Sequence, residues 1–275
     1  MKKFDKFLIC TDLDGTLLCR DKTVSRENLE AIEYFKQNGG IFTFVTGRMP
    51  YMSRQFYDAV KPNSPIGCIN GAGIYDFERG QYLYRRELER EALELVECVR
   101  QRMTSMGIHV NTFFAGYFCQ DNDGTEYYRK RSGAEHLVCR LEDIDEPIAK
   151  VLFMDTCEEN FCTLDAVLRS HPLYDRFDYV RSDKILFELI PKGIGKGDAL
   201  LRLADAHGIP QENTVAIGDY NNDIDMIKKA GLGVAVENAT PDVLKVADLV
   251  TVSNENHAIA RVIEYLEAHV IGKNK

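Results

Sequence analysis

The stretch Asp12-Leu13-Asp14-Gly15-Thr16 directly follows the apolar run Phe7-Leu8-Ile9-Cys10 near the start of the 275-residue sequence. A short, continuously apolar run that ends at a glycine turn is typical of a buried parallel strand. The two aspartates are therefore expected at the carboxyl end of that strand, where open α/β sheets bind ligands. One could serve as a nucleophile and the other as a general acid and base, although Asp and Gly are also ordinary turn residues.

Composition and charge restrict the partners of the chain. The formal net charge is −9, from 34 basic and 43 acidic residues, and no basic block is present. This argues against nucleic acid as a partner. The eight cysteines are scattered and fit neither a disulfide framework nor a zinc site, which predicts a reducing, cytoplasmic compartment. No long apolar segment or signal-peptide pattern is visible, so we expect no membrane association.

The first third of the chain alternates predicted strands and helices. Ser25 is a predicted N-cap of a helix that runs to about residue 37 and stops at Gly39-Gly40. Residues 41–45 and 66–69 predict two more buried strands, with a helix over 50–59 between them. These strands end at Thr46-Gly47-Arg48 and at Asn70-Gly71-Ala72. Alternation of this kind predicts a parallel sheet with right-handed connections.

The pattern changes between residues 82 and 187. Helices over 89–106 and 158–170 and strands over 110–114, 116–119, 148–154, 177–180 and 185–189 predict a separate α+β domain. Asp121-Asn122-Asp123-Gly124 resembles a calcium loop but lacks the downstream glutamate, so a hairpin turn is predicted there. The basic run Arg129-Lys130-Arg131 is expected on a solvated face rather than at a phosphorylated substrate.

The alternating pattern returns in the last third of the chain. Lys196 opens a predicted helix, and the strand over 214–217 runs into Gly218-Asp219 and, four residues later, Asp223. We therefore predict an α/β protein with a doubly wound parallel sheet formed by residues 1–81 and 188–275. The α+β domain over 82–187 is inserted into it, and its connections are expected near the carboxyl ends of the strands, where it could close as a lid.

Four clusters follow the ends of predicted strands, or begin a helix at the same edge of the sheet: Asp12 with Asp14, Thr46, Lys196, and Asp219 with Asp223. Several carboxylates at one edge would repel each other without a cation, and a hard ion such as Mg²⁺ suits oxygen ligands. A lysine at a helix N-terminus and a threonine hydroxyl are donors for an anion. The combination predicts a phosphoryl-transfer site.

The chain resembles the haloacid dehalogenase-like (HAD) hydrolases, and among them the Cof-type phosphatases of subfamily IIB, in motifs that span the whole chain in family order. The matching motifs are Asp12-Leu13-Asp14-Gly15-Thr16, Thr46-Gly47-Arg48, Asn70-Gly71-Ala72, Lys196-Gly197 and Gly218-Asp219-x-x-Asn222-Asp223. An insert between Asn70 and Lys196 also resembles the position of the cap domain in this group. Two segments depart from the Cof pattern, one around Glu237 and one at His257, which is expected on the surface.

The resemblance implies a role for each matching residue. Asp12 would be the nucleophile, Asp14 the general acid and base, and Thr46 and Lys196 would hold the phosphoryl group. Mg²⁺ would be bound by Asp12, the backbone carbonyl of Asp14 and Asp219, with support from Asn222 and Asp223. The substrate would also contact Gly47, Arg48, Asn70 and Gly71, although Arg48 could instead pair with a carboxylate of the core.

The leading prediction is therefore a Mg²⁺-dependent phosphatase that hydrolyses a small phosphorylated metabolite, a sugar phosphate in particular, through an aspartyl-phosphate intermediate. One alternative is a phosphomutase on a hexose phosphate. A second is a phospho-accepting switch without enzymatic activity. Asp14 argues against the switch, because a lasting phosphoaspartate needs no general acid.

Overall fold

The computed structural model describes residues 2–133 and 135–271, which form two compact units. The core unit comprises the segment that ends at Tyr84 and the segment that begins at Gly195, and the inserted unit is Arg85–Ile194. The insert was predicted over 82–187. The bounds differ because the strand at Gln81–Arg85 pairs within the core unit, whereas the strand at Leu186–Pro191 pairs within the inserted unit.

The core unit contains a five-stranded parallel sheet. Its strands are β1 (Leu8–Thr11), β2 (Ile41–Phe44) and, after the insert, β12 (Thr214–Gly218), β13 (Leu232–Ala235) and β14 (Leu249–Val250). A second sheet in this unit has three strands, which are β3 (Ile66–Cys68), β4 (Gly73–Asp76) and β5 (Gln81–Arg85). The helices are α1 (Arg26–Gln37), α2 (Pro50–Val60), α6 (Lys196–Ala206), α7 (Ile224–Lys229), α8 (Pro241–Leu244) and α9 (Ala258–Tyr265). The strand order β14-β13-β12-β1-β2 places β1 between β12 and β2.

The buried apolar residues of β1 account for its position inside the sheet. Leu8, Ile9 and Cys10 have no exposed surface, and β12 and β2 pair with β1 on either side. All pairings in this sheet are parallel, so the strands end at one edge. The predicted N-cap is confirmed, since the Ser25 hydroxyl accepts a hydrogen bond from the backbone N–H of Asn28.

The third predicted strand differs from a full member of the parallel sheet. β3 pairs antiparallel with β4, and it joins the parallel sheet through a single bridge between Val45 and Gly67. Gly67 allows this approach because a Cβ there would lie 2.8 Å from a methyl carbon of Val45. The end of β3 therefore lies at the same edge as the ends of β1 and β2.

The inserted unit contains a six-stranded sheet with the order β10-β11-β9-β6-β7-β8. Its strands are β6 (Gly107–Thr112), β7 (Gly116–Gln120), β8 (Leu137–Val138), β9 (Ile148–Met154), β10 (Phe177–Asp183) and β11 (Leu186–Pro191). Its helices are α3 (Ala92–Arg102), α4 (Asp123–Ser132) and α5 (Glu159–Arg169). Apolar residues of α3 and α5 pack with alternate residues of β6 and β9 in one core, among them Leu95, Leu164, Val110 and Val151.

The predicted hairpin turn at Asp121-Asn122-Asp123-Gly124 is wrong, because this segment begins helix α4. The Asn122 side chain accepts a hydrogen bond from the backbone N–H of Thr125, and the Thr125 hydroxyl accepts one from the backbone N–H of Asn122. This reciprocal cap satisfies two backbone donors at the helix start. Asn and Asp favour both turns and helix caps, and the local sequence alone did not separate the two.

Three further expectations concern the cysteines, membrane-spanning helices and His257. All eight cysteines are free thiols, in line with the absence of a predicted disulfide framework. Over the ranges 2–133 and 135–271, the structure contains no helix with the length and apolar character needed to cross a bilayer. His257 precedes α9, and its partly exposed side chain lies 3.5 Å from a carboxylate oxygen of Glu27.

Candidate active site

Asp12 lies at the carboxyl end of β1, an interior strand of the core-unit sheet between β12 and β2. Its backbone N–H donates to the carbonyl of Ile217, 2.9 Å away, and the Thr11 hydroxyl donates to its carbonyl oxygen. The residue is 6% exposed. Parallel pairing with β12 therefore holds the Asp12 carboxylate at a fixed place on the sheet edge.

Lys196, the first residue of α6, connects two carboxylates. Its Nζ donates hydrogen bonds of 2.6 Å to Oδ1 of Asp12 and 2.6 Å to Oδ1 of Asp223. Burial alone would lower the pKa of Lys196, but the charges and hydrogen bonds of the two aspartates raise it above its ordinary value. Lys196 is therefore a fixed ammonium group beside Asp12.

Asp223 organises the loop that follows β12. Its Oδ2 accepts hydrogen bonds of 3.0 Å from the backbone N–H groups of Asp219 and Tyr220, and the residue is fully buried. Because Oδ1 accepts from Lys196, both oxygens of Asp223 are already engaged. Asp223 thus aligns Lys196 and the Asp219 loop with each other.

Asp219 faces the loop that contains Gly15 and Thr16. The Thr16 hydroxyl donates to Oδ1 of Asp219 over 2.7 Å. Gly15 has φ +81°, and a Cβ there would lie 2.5 Å from Oδ2 of Asp219. Glycine is required at this position because both the backbone angle and the close approach exclude a side chain.

Asp12, Asp219 and Asp223 each offer a carboxylate oxygen, and these atoms all lie within 4.8 Å of one another. Burial raises the pKa of Asp219 to about 8, with further increases from Asp12 and Asp223. Burial also raises the pKa of Asp12 to about 7, although Lys196 opposes this shift. Crowded, buried oxygen ligands with this repulsion fit a hard divalent cation.

Asp14 lies in the turn after β1 and forms ion pairs with two basic side chains. Arg48 donates from Nε to Oδ2 over 2.7 Å and from Nη2 to Oδ1 over 2.8 Å, and Lys22 donates from Nζ to Oδ1 over 2.7 Å. Burial would raise the pKa of Asp14, but Arg48 and Lys22 hold it well below its usual range. The pairing of Arg48 with a carboxylate was the alternative interpretation of its role. The sequence did not predict the contact of Lys22 with Asp14, because no spacing rule connects the two residues.

Thr46 and Asn70 hold the ends of β2 and β3 together. The Thr46 N–H donates to the carbonyl of Gly67, and the Asn70 N–H donates to the carbonyl of Thr46. Asn70 is buried in a left-handed conformation with φ 51°, and its Oδ1 accepts from Nδ2 of Asn222 over 3.0 Å. A Cβ on Gly47 would lie 2.9 Å from that same oxygen.

Gly71 lets this loop approach the start of α6. Its φ is +95°, and a Cβ there would lie 2.0 Å from the carbonyl oxygen of Gly195, the residue before Lys196. A side chain at residue 71 would therefore displace the backbone that positions Lys196. The core unit thus brings all eleven predicted site residues to the ends of β1, β2, β3 and β12 and the start of α6: Asp12, Asp14, Thr46, Gly47, Arg48, Asn70, Gly71, Lys196, Asp219, Asn222 and Asp223.

The loop after β13 supports the site through residues that the sequence analysis did not assign. Asn238 donates from Nδ2 to the carbonyl of Gly15 over 2.8 Å, and the Thr240 N–H donates to the carbonyl of Asp219 over 2.9 Å. Glu237, where the chain departs from the Cof pattern, is exposed. Its neighbour Asn238 therefore provides the contact that connects this loop to the turn after β1.

An acidic cluster beside a buried lysine, at the carboxyl edge of a parallel sheet, defines a phosphoryl-transfer protein. The chain belongs to the haloacid dehalogenase-like hydrolases, because the family profile of that description matches residues 9–263. The predicted Cof-type membership is confirmed, and the chain is a phosphatase that acts on phosphorylated small molecules as a hydrolase of phosphoric monoesters. Members of this family generally use a divalent metal ion, and the carboxylates of Asp12, Asp219 and Asp223 could hold one.

Three known proteins illustrate the similarity. The 5-amino-6-(5-phospho-D-ribitylamino)uracil phosphatase YitU of Bacillus subtilis is 27% identical over 94% of this chain and 96% of its own length. The pyridoxal phosphate phosphatase YbhA of Escherichia coli is 27% identical over 96% of this chain and 98% of its own length. The crystal structure of a haloacid dehalogenase-like hydrolase from Bacteroides thetaiotaomicron has a TM-score of 0.82 at 28% identity, covering 94% of this chain and 99% of that chain.

Proposed function

We propose that the chain is a Mg²⁺-dependent phosphatase that hydrolyses the phosphate ester of a small hydroxylated metabolite, such as a sugar phosphate, through an aspartyl-phosphate on Asp12. The observation that carries the proposal is the position of Lys196, which lies 2.6 Å from both Asp12 and Asp223. A buried ammonium beside a carboxylate nucleophile supplies the positive charge that an incoming phosphoryl group needs.

In this mechanism, an oxygen of Asp12 attacks phosphorus and the ester oxygen departs with the bonding electrons. Asp14 donates a proton to that oxygen, which releases the alcohol and leaves the phosphoryl group on Asp12. Asp14 then removes a proton from water, and the resulting hydroxide attacks phosphorus and frees Asp12 and inorganic phosphate. Thr46 and Lys196 hold the phosphoryl oxygens during both steps.

The bound cation would be held by Asp12, the carbonyl of Asp14 and Asp219, with Asn222 and Asp223 in support. Crowding of the three carboxylates supports this assignment, because Lys196 alone offsets too little of their combined charge. When bound, Mg²⁺ would neutralise the charge between the Asp12 carboxylate and the phosphate ester. Mg²⁺ is favoured over a softer metal because every side-chain donor of the set is an oxygen.

The inserted unit, Arg85–Ile194, is proposed to select the alcohol part of the substrate. It holds none of the residues assigned to the phosphoryl steps, yet it is a folded unit with its own sheet and core. Binding energy from parts of a substrate remote from the phosphorus accelerates catalysis when it is realised in the transition state. The names of the relatives, which include a ribitylaminouracil phosphatase, are compatible with a polyol-bearing substrate.

The proposal is tested by screening phosphorylated metabolites for release of free phosphate, with and without a chelator. A phosphomutase would return the phosphoryl group to a sugar, so free phosphate in proportion to consumed ester separates the two enzyme classes. Trapping of radiolabelled phosphate on the protein, and its loss in an Asp12→Asn variant, tests the intermediate. Phosphate release that continues undiminished in Asp12→Asn would refute the assignment of the nucleophile.

A further inference from the structure

Three charged side chains form a network beside the start of α6, the helix that Lys196 begins, and all of them belong to the core unit. Lys229, the last residue of α7, donates from Nζ to Oδ1 of Asp198 over 3.0 Å and to Oδ2 of Asp225 over 3.2 Å. Burial alone would lower the pKa of Lys229, but the two aspartates raise it above its ordinary value. Lys229 is therefore a charged bridge between one carboxylate of α6 and one of α7.

Both carboxylates also hold backbone groups on either side of Lys196. Oδ2 of Asp198 accepts a hydrogen bond of 2.8 Å from the N–H of Gly195, and Oδ2 of Asp225 accepts one of 3.1 Å from the N–H of Gly197. The first N–H groups of a helix have no partner within the helix, so the two side chains satisfy donors that would otherwise need water. The network thus fixes the backbone immediately before and after Lys196.

The two glycines let Asp225 approach this backbone closely. A Cβ on Gly195 would lie 2.4 Å from Oδ2 of Asp225, and a Cβ on Gly197 would lie 2.6 Å from the same oxygen. A Cβ on Gly197 would also lie 2.6 Å from Cδ of Lys229. A side chain at either glycine would push the network away from α6, so the sequence Gly195-Lys196-Gly197 leaves room for it.

The exposure of the network distinguishes it from the buried lysine that it surrounds. The side chains of Lys229, Asp198 and Asp225 are 28–41% exposed, and ion pairs with this exposure contribute little to stability. Lys196, in contrast, is 1% exposed. A small shift of the first turn of α6 would move its ammonium group, and a displacement of about 1 Å at an active site can cost about 100-fold in rate.

We propose that Lys229 is a positioning residue for the reaction, which holds the first turn of α6 so that Lys196 is directed at the phosphoryl group. It acts through its two carboxylate partners, Asp198 and Asp225. Without the ammonium group of Lys229, these carboxylates would repel each other, and Asp225 would release the N–H of Gly197. The inference rests on the proposed function, in which Lys196 holds the phosphoryl oxygens.

Kinetics of substitutions at Lys229 test the proposal. Lys229→Met keeps an aliphatic stem but removes the charge, and it should lower kcat/KM about tenfold, mainly through kcat. The factor should be the same for p-nitrophenyl phosphate and an alkyl phosphate, because Lys196 contacts the phosphoryl group that the two esters share. Lys229→Arg keeps the charge and should retain at least about half of the wild-type activity. Lys228→Met is the matched control, because Lys228 is exposed on the same helix; it should leave the activity unchanged.

Two measurements separate positioning from a loss of the fold. The melting temperatures of Lys229→Met and Lys228→Met should agree within about 4 °C, because the ion pairs are partly exposed. Amide hydrogen exchange needs no phosphatase activity. The N–H of Gly197 should exchange at least about fivefold faster in Lys229→Met than in the wild type, whereas the N–H of Leu203, further along α6, should exchange at an unchanged rate.

Four results would overturn the inference. They are unchanged kinetics in Lys229→Met, equal losses in Lys229→Met and Lys229→Arg, an unchanged exchange rate at Gly197, and a general loss of stability in Lys229→Met that the control does not share. If the wild type hydrolyses no phosphate ester, the proposed function fails, and the exchange rate at Gly197 still decides whether Lys229 holds the start of α6.

Discussion

Arg48 binds Asp14 through two parallel hydrogen bonds, of 2.7 Å from Nε to Oδ2 and 2.8 Å from Nη2 to Oδ1. In this state Asp14 is a carboxylate, because Arg48 and Lys22 lower its pKa. A proton donor to a leaving group must first be protonated. In its proposed role as proton donor, Asp14 would lose part of this pairing when substrate binds, and the phosphate oxygens would offer Arg48 and Lys22 an alternative partner.

The first prediction concerns the general acid. Asp14→Asn should reduce kcat at least about 100-fold on an alkyl phosphate but much less on p-nitrophenyl phosphate, because a stable phenolate departs without a proton. The measurement is kcat for both esters in the variant and in Asp58→Asn, an exposed carboxylate change that serves as a control. Equal losses for good and poor leaving groups would contradict the role of Asp14.

The second prediction concerns the nucleophile. Asp12→Asn should lower phosphate release by about 10⁴-fold or more, because an amide of the same volume does not attack phosphorus. The fold should persist, since the Asn oxygen can still accept from Lys196. Circular dichroism and thermal unfolding check the fold, and Asp58→Asn again provides the control. A well-folded variant with substantial turnover would disprove the assignment.

The third prediction concerns the metal. Chelation should remove activity, Mg²⁺ should restore it and Ca²⁺ should not, because Ca²⁺ accepts more ligands at longer distances and would engage both oxygens of Asp12. Mg²⁺ should also raise the melting temperature of the wild type, and this effect should be absent in Asp219→Asn. Full activity of a metal-free preparation would exclude the metal-dependent mechanism.

The fourth prediction concerns His109 and pH. Burial and the charge of Lys150 lower the pKa of His109 to about 3, against opposing contributions from Gly116 and Asp121. Between about pH 3 and pH 6.5, residue 109 therefore binds more protons in the unfolded chain than in the folded one. As the pH falls below 6.5, His109 consequently lowers the free energy of unfolding. Relative to pH 8, the wild type should lose about 2 kcal/mol more than His109→Gln at pH 5. Urea unfolding at both pH values measures this difference, and exposed His269→Gln should behave like the wild type.

The fifth prediction concerns the inserted unit as a whole. Replacing residues 85–194 by a short loop should spare much of the hydrolysis of p-nitrophenyl phosphate, because the residues of the phosphoryl site lie in the core unit. It should reduce kcat/KM on the best sugar phosphate by about 100-fold or more, through the loss of remote binding energy. If the shortened protein folds and loses both activities in equal proportion, the insert belongs to the catalytic machinery instead.

Much of the site followed from the sequence because its residues occur where predicted strands end. The apolar run before Asp12 and the glycine turn after Asp14 are local signals, and parallel strands necessarily bring such ends to one edge. All five motifs lie within residues 9–263, the range over which the family profile matches the chain. Local patterns were less decisive at Asn122, where a turn and a helix cap share the same residue preferences.

The sequence by itself determined the parallel sheet, the inserted α+β unit and the identity of the acidic and basic groups, because hydrophobic periodicity and strand-end motifs are properties of short segments. Only the tertiary structure decided which of these groups meet. Lys196 lies between Asp12 and Asp223, and Lys22 reaches Asp14, because packing of distant segments fixes side-chain direction. The burial of His109 and Asn111 was likewise decided only by the tertiary structure, in which strand register places Gly116 opposite Asn111, since burial depends on neighbours that spacing along the chain does not specify.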